Sequence, residues 1–289
     1  MDQATGLRNL INNQSANRPR ARVITVTSGK GGVGKSNVAI NLAIQLKKLG
    51  QRVIILDADL GLANIEIMFG TVPKHNLSDL IYQGKNIREI ITWGPMEVGF
   101  ISGGSGITRM SQLDREYLTY IIQNLAELDA IADTVIIDTG AGISSSVMEF
   151  LVASGEIILV TTPEPTSITD SYSLLKALNQ NARFMRDQTT IRVLSNLVNS
   201  DNEGQVLFNK LNAVVARYLK LPLTYLGAIP RDQALSNAVM QQMPVSLHDP
   251  YAKSTRAFER IVGELTDNEE LKKTRSRGMA AFFSHMLKR

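Results

Sequence analysis

Gly29-Lys30-Gly31-Gly32-Val33-Gly34-Lys35-Ser36 fits the pattern G-x-x-x-x-G-K-[ST] and carries a second lysine, Lys30, directly after its first glycine. The apolar run Val23-Ile24-Thr25-Val26 precedes it, and the helical pattern from Val38 to Leu46 follows, so the loop joins a strand to a helix. Glycines let backbone N–H groups converge on phosphate oxygens, and the helix N-terminus adds partial positive charge. This predicts a nucleotide site in which Lys35 holds the β- and γ-phosphates and Ser36 ligates Mg²⁺. Asn37 joins Gly29, Gly31, Gly32, Val33 and Gly34 as a candidate nucleotide contact.

Working outward, Val53-Ile54-Ile55-Leu56 is a continuous apolar run that ends in Asp57-Ala58-Asp59, and Thr134-Val135-Ile136-Ile137 ends in Asp138-Thr139-Gly140-Ala141-Gly142. Such runs read as buried parallel strands, whose C-terminal ends are where α/β folds place ligands. Ile157 to Thr162, Arg192 to Asn196 and Leu226 to Pro230 add further strand patterns. Strands alternating with helices imply right-handed βαβ units. The expected fold is α/β, a mainly parallel sheet flanked by helices on both faces, with short helical extensions at either end. Its divisions are an N-terminal element and linker over 1–22, a nucleotide-binding domain over 23–266, and a spacer with an amphipathic helix over 267–289.

Lys30 separates this loop from an ordinary phosphate-binding loop, and K-G-G-V-G-K-S resembles the deviant Walker A motif of the MinD/ParA ATPases. That resemblance implies an ATP-dependent homodimer in which Lys30 reaches the partner's nucleotide. It further implies that Asp59 orients the attacking water, that Asp57 supports the Mg²⁺ shell and that Asp138 binds the metal through water. Glu164 matches a position that contacts nucleotide across the dimer, while Asn196, Ile229 and Pro230 line the base. Asparagine can offer a donor and an acceptor to adenine together, and no N/T-K-x-D guanine signature is present at this position. The cofactors implied are ATP or ADP and Mg²⁺.

Cysteine is absent, which rules out disulfides and thiolate metal sites, iron–sulfur clusters among them. His75, His248 and His285 lie far apart without ligand spacing. No apolar run approaches the roughly 20 residues of a membrane span, and nothing at the start reads as a signal peptide, so the expectation is a cytoplasmic protein. Charge is uneven. Residues 271–289 hold six basic residues and no acid, and residues 1–22 hold four arginines against Asp2, which leaves the body between them net acidic. That pattern argues against DNA binding over the whole surface and for contacts made by the ends.

Met279, Phe282, Phe283, Met286 and Leu287 follow i, i+3, i+4, i+7, i+8, one face of a helix with basic residues beside it. Such a stretch reads as a helix lying in an anionic membrane interface, with an ordinary C-terminal helix docked on the domain core as the alternative. It resembles the membrane-targeting sequence of MinD-type proteins, which implies reversible association with the cytoplasmic membrane. Asp2-Gln3-Ala4-Thr5-Gly6-Leu7-Arg8 matches the D-Q-A-x-x-L-R element of the FlhG family of flagellar MinD-like ATPases. In that family Asp2, Gln3, Ala4, Leu7 and Arg8 would dock on the flagellar signal-recognition-type GTPase FlhF and stimulate it, and flagellar basal-body (switch-complex) proteins would be further partners. A division-site ATPase of the MinD type and a DNA-segregating ATPase of the ParA type are the alternatives that the same motifs allow.

Overall fold

The computed structural model describes residues 20–59, 64–103, 115–267 and 278–286. Among them, eight strands form one sheet: β1 (Arg22–Ser28), β2 (Val53–Ala58), β3 (Thr92–Trp93), β4 (Gly99–Ser102), β5 (Thr134–Ala141), β6 (Glu156–Thr161), β7 (Thr190–Val198) and β8 (Thr224–Pro230). Their spatial order is β3-β4-β2-β5-β1-β6-β7-β8, and every pairing is parallel except the antiparallel β3–β4 edge. The central strands are buried on both faces, which is why they read as unbroken β-branched runs rather than alternating ones. β1 lies between β5 and β6, so the loop after Ser28 opens into the crevice at the C-terminal ends of the strands.

Helix Lys35–Lys48 is buried over Val38–Leu46 and packs between the sheet and helix Lys253–Asp267. Its polar residues are satisfied inside: Asn41 accepts from the Ser246 N–H at 3.0 Å, and Gln45 donates to the Ser246 hydroxyl at 3.1 Å. Across the base of the sheet, Glu156 accepts from Arg22 at 2.6 Å and from Arg192 at 2.7 Å. This buried triad ties the starts of β1, β6 and β7 into one register.

The sequence reading sets residues 267–289 apart from the nucleotide-binding body. Helix Gly278–Met286 instead packs into it, against helices Arg115–Ala126, Leu128–Ile131 and Ser145–Ala153. Met279, Phe282, Phe283 and Met286 are at most 3% exposed. Phe282 stacks on Phe150 with ring centroids 6.1 Å apart and meets Phe283 edge-on at 5.3 Å. The physical reason is that a helix face of this width serves a protein groove as well as a lipid interface. The N-terminal element, Leu287 and the two terminal basic residues lie outside the described residues.

Candidate functional site

Every strand that carries a candidate nucleotide residue delivers it to the same end of the sheet. β1 ends at Ser28, and the loop turns through Gly32 (φ +77°) and Gly34 (φ +85°) into helix Lys35–Lys48. Both glycines occupy the left-handed region, which other residues reach only with strain. Gly29 is required for a different reason: a Cβ there would lie 2.3 Å from the carbonyl carbon of Asp170, so the loop runs directly against the backbone of helix Pro165–Gln180.

Lys35 is buried and donates to Asp138 Oδ1 at 3.0 Å. Ser36 also hydrogen-bonds Asp138. Burial pushes the Asp138 carboxyl upward, and the Lys35 ammonium opposes that shift. On the neighbouring strand, Asp57 pairs in register with Asp138 and accepts the backbone N–H groups of Asp59 and Ile65. Burial, and next the Asp138 charge, raise the Asp57 carboxyl to about 7. Asp59 sits beside Gly140, where a Cβ would lie 3.6 Å from Asp59 Oδ1.

Two carboxylate oxygens, Asp57 Oδ2 and Asp138 Oδ2, are buried without a hydrogen-bond partner. With the Ser36 hydroxyl they make an oxygen-only donor set at the foot of a glycine-lined cradle, which fits a hard divalent cation carried by a nucleotide phosphate. Among the described residues no group of three or more His, Asp or Glu side chains gathers to hold a metal ion, here or elsewhere. Mg²⁺ suits that economy, since it is commonly held by one or two carboxylates together with phosphate oxygens.

Asn196 at the end of β7 donates to the Val33 carbonyl at 2.7 Å, while its Oδ1 is buried with no partner. A free amide acceptor anchored to the phosphate loop is the group an adenine amino needs. Ile229 is buried and pairs with Asn196 across β7–β8, and Pro230 is half-buried beside it. Asn37 lies one turn ahead of Asn41 and accepts from its amide through the backbone carbonyl. Replacing Gly34 should be costly, because its Cβ would meet Asn196 Nδ2 at 2.5 Å on a left-handed backbone. Gly34→Ala should weaken ATP binding by at least about tenfold, measured by calorimetry, and parental affinity would show that Asn196 is free to move.

The resemblance assigns Lys30 to a partner's nucleotide. Within this single chain it folds back instead, donating to Glu164 Oε2 at 2.5 Å and to Thr166 Oγ1 at 2.9 Å. The hydrogen bond from Lys30 lowers the Glu164 carboxyl below its ordinary value. Both partners are partly exposed at the crevice rim, where water screens the attraction and an ion pair holds its lysine only weakly. Nothing in the sequence singles out Thr166. Its signal would have been the position two residues after Glu164 at the start of a helix, which many unrelated helices share. Asp57, Asp138, Lys35, Ser36 and the loop glycines are thus brought together, with Asn196 on one side and the Lys30–Glu164 pair at the rim.

Among the described residues, no helix is long and apolar enough to cross a membrane. A family model described as "ParA: NUBPL iron-transfer P-loop NTPase" matches residues 20–266. The antiactivator FleN of Pseudomonas aeruginosa is 42% identical over 240 residues, covering 83% of this chain and 84% of its own. The flagellum site-determining protein YlxH of Helicobacter pylori is 32% identical over 296 residues, covering 99% of this chain and 98% of its own. Among solved structures, the Pyrococcus horikoshii septum site-determining protein MinD complexed with Mg-ADP superposes with a TM-score of 0.66 at 22% identity, covering 86% of this chain and 96% of that one. At that identity the last likeness speaks for the fold alone. Taken with the complete phosphate loop and the two strand-end aspartates, these matches show that the chain belongs to the MinD/ParA family of P-loop NTPases and is an ATPase.

Proposed function

We propose that this chain is an ATP-dependent dimerising ATPase that cycles between the cytoplasm and the cytoplasmic membrane, regulates flagellar placement and number, and stimulates the GTPase FlhF through its N-terminal element. The observation that carries the reading is the match to a flagellum site-determining protein along 99% of the chain. FleN, the relative at higher identity, is an antiactivator, which fits a regulator better than a division-site or DNA-segregation role. Flagellar basal-body proteins are the further partners this reading implies.

Chemically, the body would bind ATP in the glycine-lined loop, with Asn196 and the Ile229-Pro230 segment at the base. Lys35 would stabilise charge on the phosphates, and Lys30 would add a second ammonium from the opposing subunit. Asp59 would orient the attacking water in line with the γ-phosphate, and Gly140 and Gly142 would let the backbone after β5 follow the presence of that phosphate. Mg²⁺, held by Ser36 and by Asp57 and Asp138, would neutralise charge developing on the phosphoryl oxygens. The division into an N-terminal element, an ATPase body and a tail belongs to the same proposal.

The tail links this chemistry to the membrane. Four side chains buried in the docked helix are those a lipid interface would take up, each worth roughly 1.5–3 kcal/mol when fully buried, so docking and membrane insertion compete for one apolar face. A single tail would bind weakly, whereas two on one dimer multiply through effective concentration. The test is Asp59→Ala with ATP and Mg²⁺. The variant should accumulate as a dimer in analytical ultracentrifugation and remain on anionic vesicles, with hydrolysis reduced at least about a hundredfold. An ATP-loaded Asp59→Ala protein that stayed monomeric would overturn the proposal.

A further inference from the structure

The docked C-terminal helix is held at both ends by polar groups from distant parts of the chain. At its start, the Met279 N–H donates to Asp129 Oδ1 at 2.8 Å, and the Ala21 N–H donates to the same oxygen at 3.2 Å. Gly278 makes this approach possible. It has φ +61°, and a Cβ there would lie 2.6 Å from Asp129 Oδ2. At its far end, Arg183 donates to the His285 and Met286 carbonyls, both at 2.8 Å, so a cation covers the helix C-terminus.

Ala21 is the residue through which residues 1–20 join β1. It is 1% exposed and belongs to the same apolar cluster as Met279, Phe282, Phe283 and Met286. The small cavity beside it is lined by Arg22, Val23, Gly155, Glu156, Gly278 and Phe282. The root of the N-terminal segment and the root of the tail therefore meet at one carboxylate, at the end of the sheet where β1 and β6 begin.

We propose that Asp129 is a latch shared by the two ends of the body: release of the C-terminal helix loosens the chain at Ala21, and displacement of the N-terminal root loosens the helix. When the helix leaves, Ala21 loses its apolar cover and the Asp129 carboxylate becomes open to water, which competes for the remaining N–H. Coupling of this kind is reciprocal. A protein partner that binds the N-terminal segment and draws Ala21 out of its site raises the availability of the tail by the same factor by which tail release favours that partner. Because both roots lie at one place, a partner held by the N-terminal segment is also brought to the surface that the tail occupies. The use of the latch rests on the membrane reading above, whereas the coupling between the ends does not.

The experiment is amide hydrogen exchange on the full-length, nucleotide-free chain without vesicles. Arg183→Ala acts at the far end of the helix. It should speed exchange of the Met279–Met286 amides by about tenfold or more, and that of Ala21 by a similar factor. Gly278→Ala, which forces a methyl group against Asp129, should give the same pattern from the near end while leaving Arg183 in place. Faster exchange in the helix with parental exchange at Ala21 would overturn the coupling, as would parental exchange of the helix in both variants. A second arm adds vesicles of anionic phospholipid: loosened variants that fail to float would refute the membrane reading and leave the coupling standing.

Discussion

At pH 8, without nucleotide, the Asp57→Asn variant should be more stable than the parent while its ATP turnover is lost. Asp57 is 3% exposed, has one carboxylate oxygen without a partner, and faces the Asp138 charge across the β2–β5 register. Its carboxyl is raised to about 7, against about 3.9 in an unfolded chain. The folded state therefore holds this proton more tightly than the unfolded state. Below about pH 4 both states are protonated and the group costs nothing; the penalty grows as pH rises toward about 7 and is complete above that, reaching about 4 kcal/mol. Asparagine removes the charge and gives Asp138 a donor, so urea unfolding at pH 8 should show a gain of at least about 2 kcal/mol. At pH 5, where the parent carries most of this proton, the gap should narrow. A variant less stable than the parent at pH 8, or a gap independent of pH, would mean that Asp57 is not held as a destabilised acid for a cation to relieve.

That trade of stability for chemistry is concentrated in the part of the molecule that the sequence makes most legible. The phosphate loop, Asp57, Asp138 and Asn196 announce themselves because each lies at the end of a strand pattern, an unbroken apolar run in the case of Asp57 and Asp138, and a parallel sheet gathers strand ends automatically. Lys35 beside Asp138 follows from the same register. The tail was legible only as far as its apolar face. Met279, Phe282, Phe283 and Met286 specify a buried surface, but periodicity carries no information about whether lipid or protein does the burying. What holds the helix in its groove comes from Asp129 and Arg183, 150 and 103 positions away from the residues they bond, and no local pattern marks either. Lys30 is a similar case. Its motif names a partner's nucleotide, while its neighbours within one chain, Glu164 and Thr166, are placed by the approach of helix Pro165–Gln180 to Gly29.

Phe283→Glu should abolish ATP-dependent binding to anionic vesicles and at the same time undock the tail from the body, without changing nucleotide affinity. Phe283 is fully buried and meets the Phe282 ring edge-on. A carboxylate there fits neither the groove nor the lipid interface proposed for this helix, since the groove around Phe150 is apolar and the interior of a lipid interface is equally unfavourable for charge. Even aromatic-to-alanine replacements in a core cost about 3–5 kcal/mol, and a buried, unpaired carboxylate adds its desolvation penalty to that loss. The tail amides should therefore exchange freely in solution, in contrast to the parent.

The nucleotide site should not register the change. The tail packs beside Arg22 and Glu156, where β1 and β6 begin, whereas the phosphate loop follows Ser28 at the other end of β1. Seven strand residues at about 3.3 Å each put roughly 20 Å of sheet between them. Vesicle flotation, amide exchange and calorimetric ATP binding decide the three parts separately. Flotation equal to the parent would remove the tail from the membrane cycle. Loss of ATP binding would show instead that the docked helix supports the crevice through the length of β1, and the tail would then report on the nucleotide from the opposite end of the same strand.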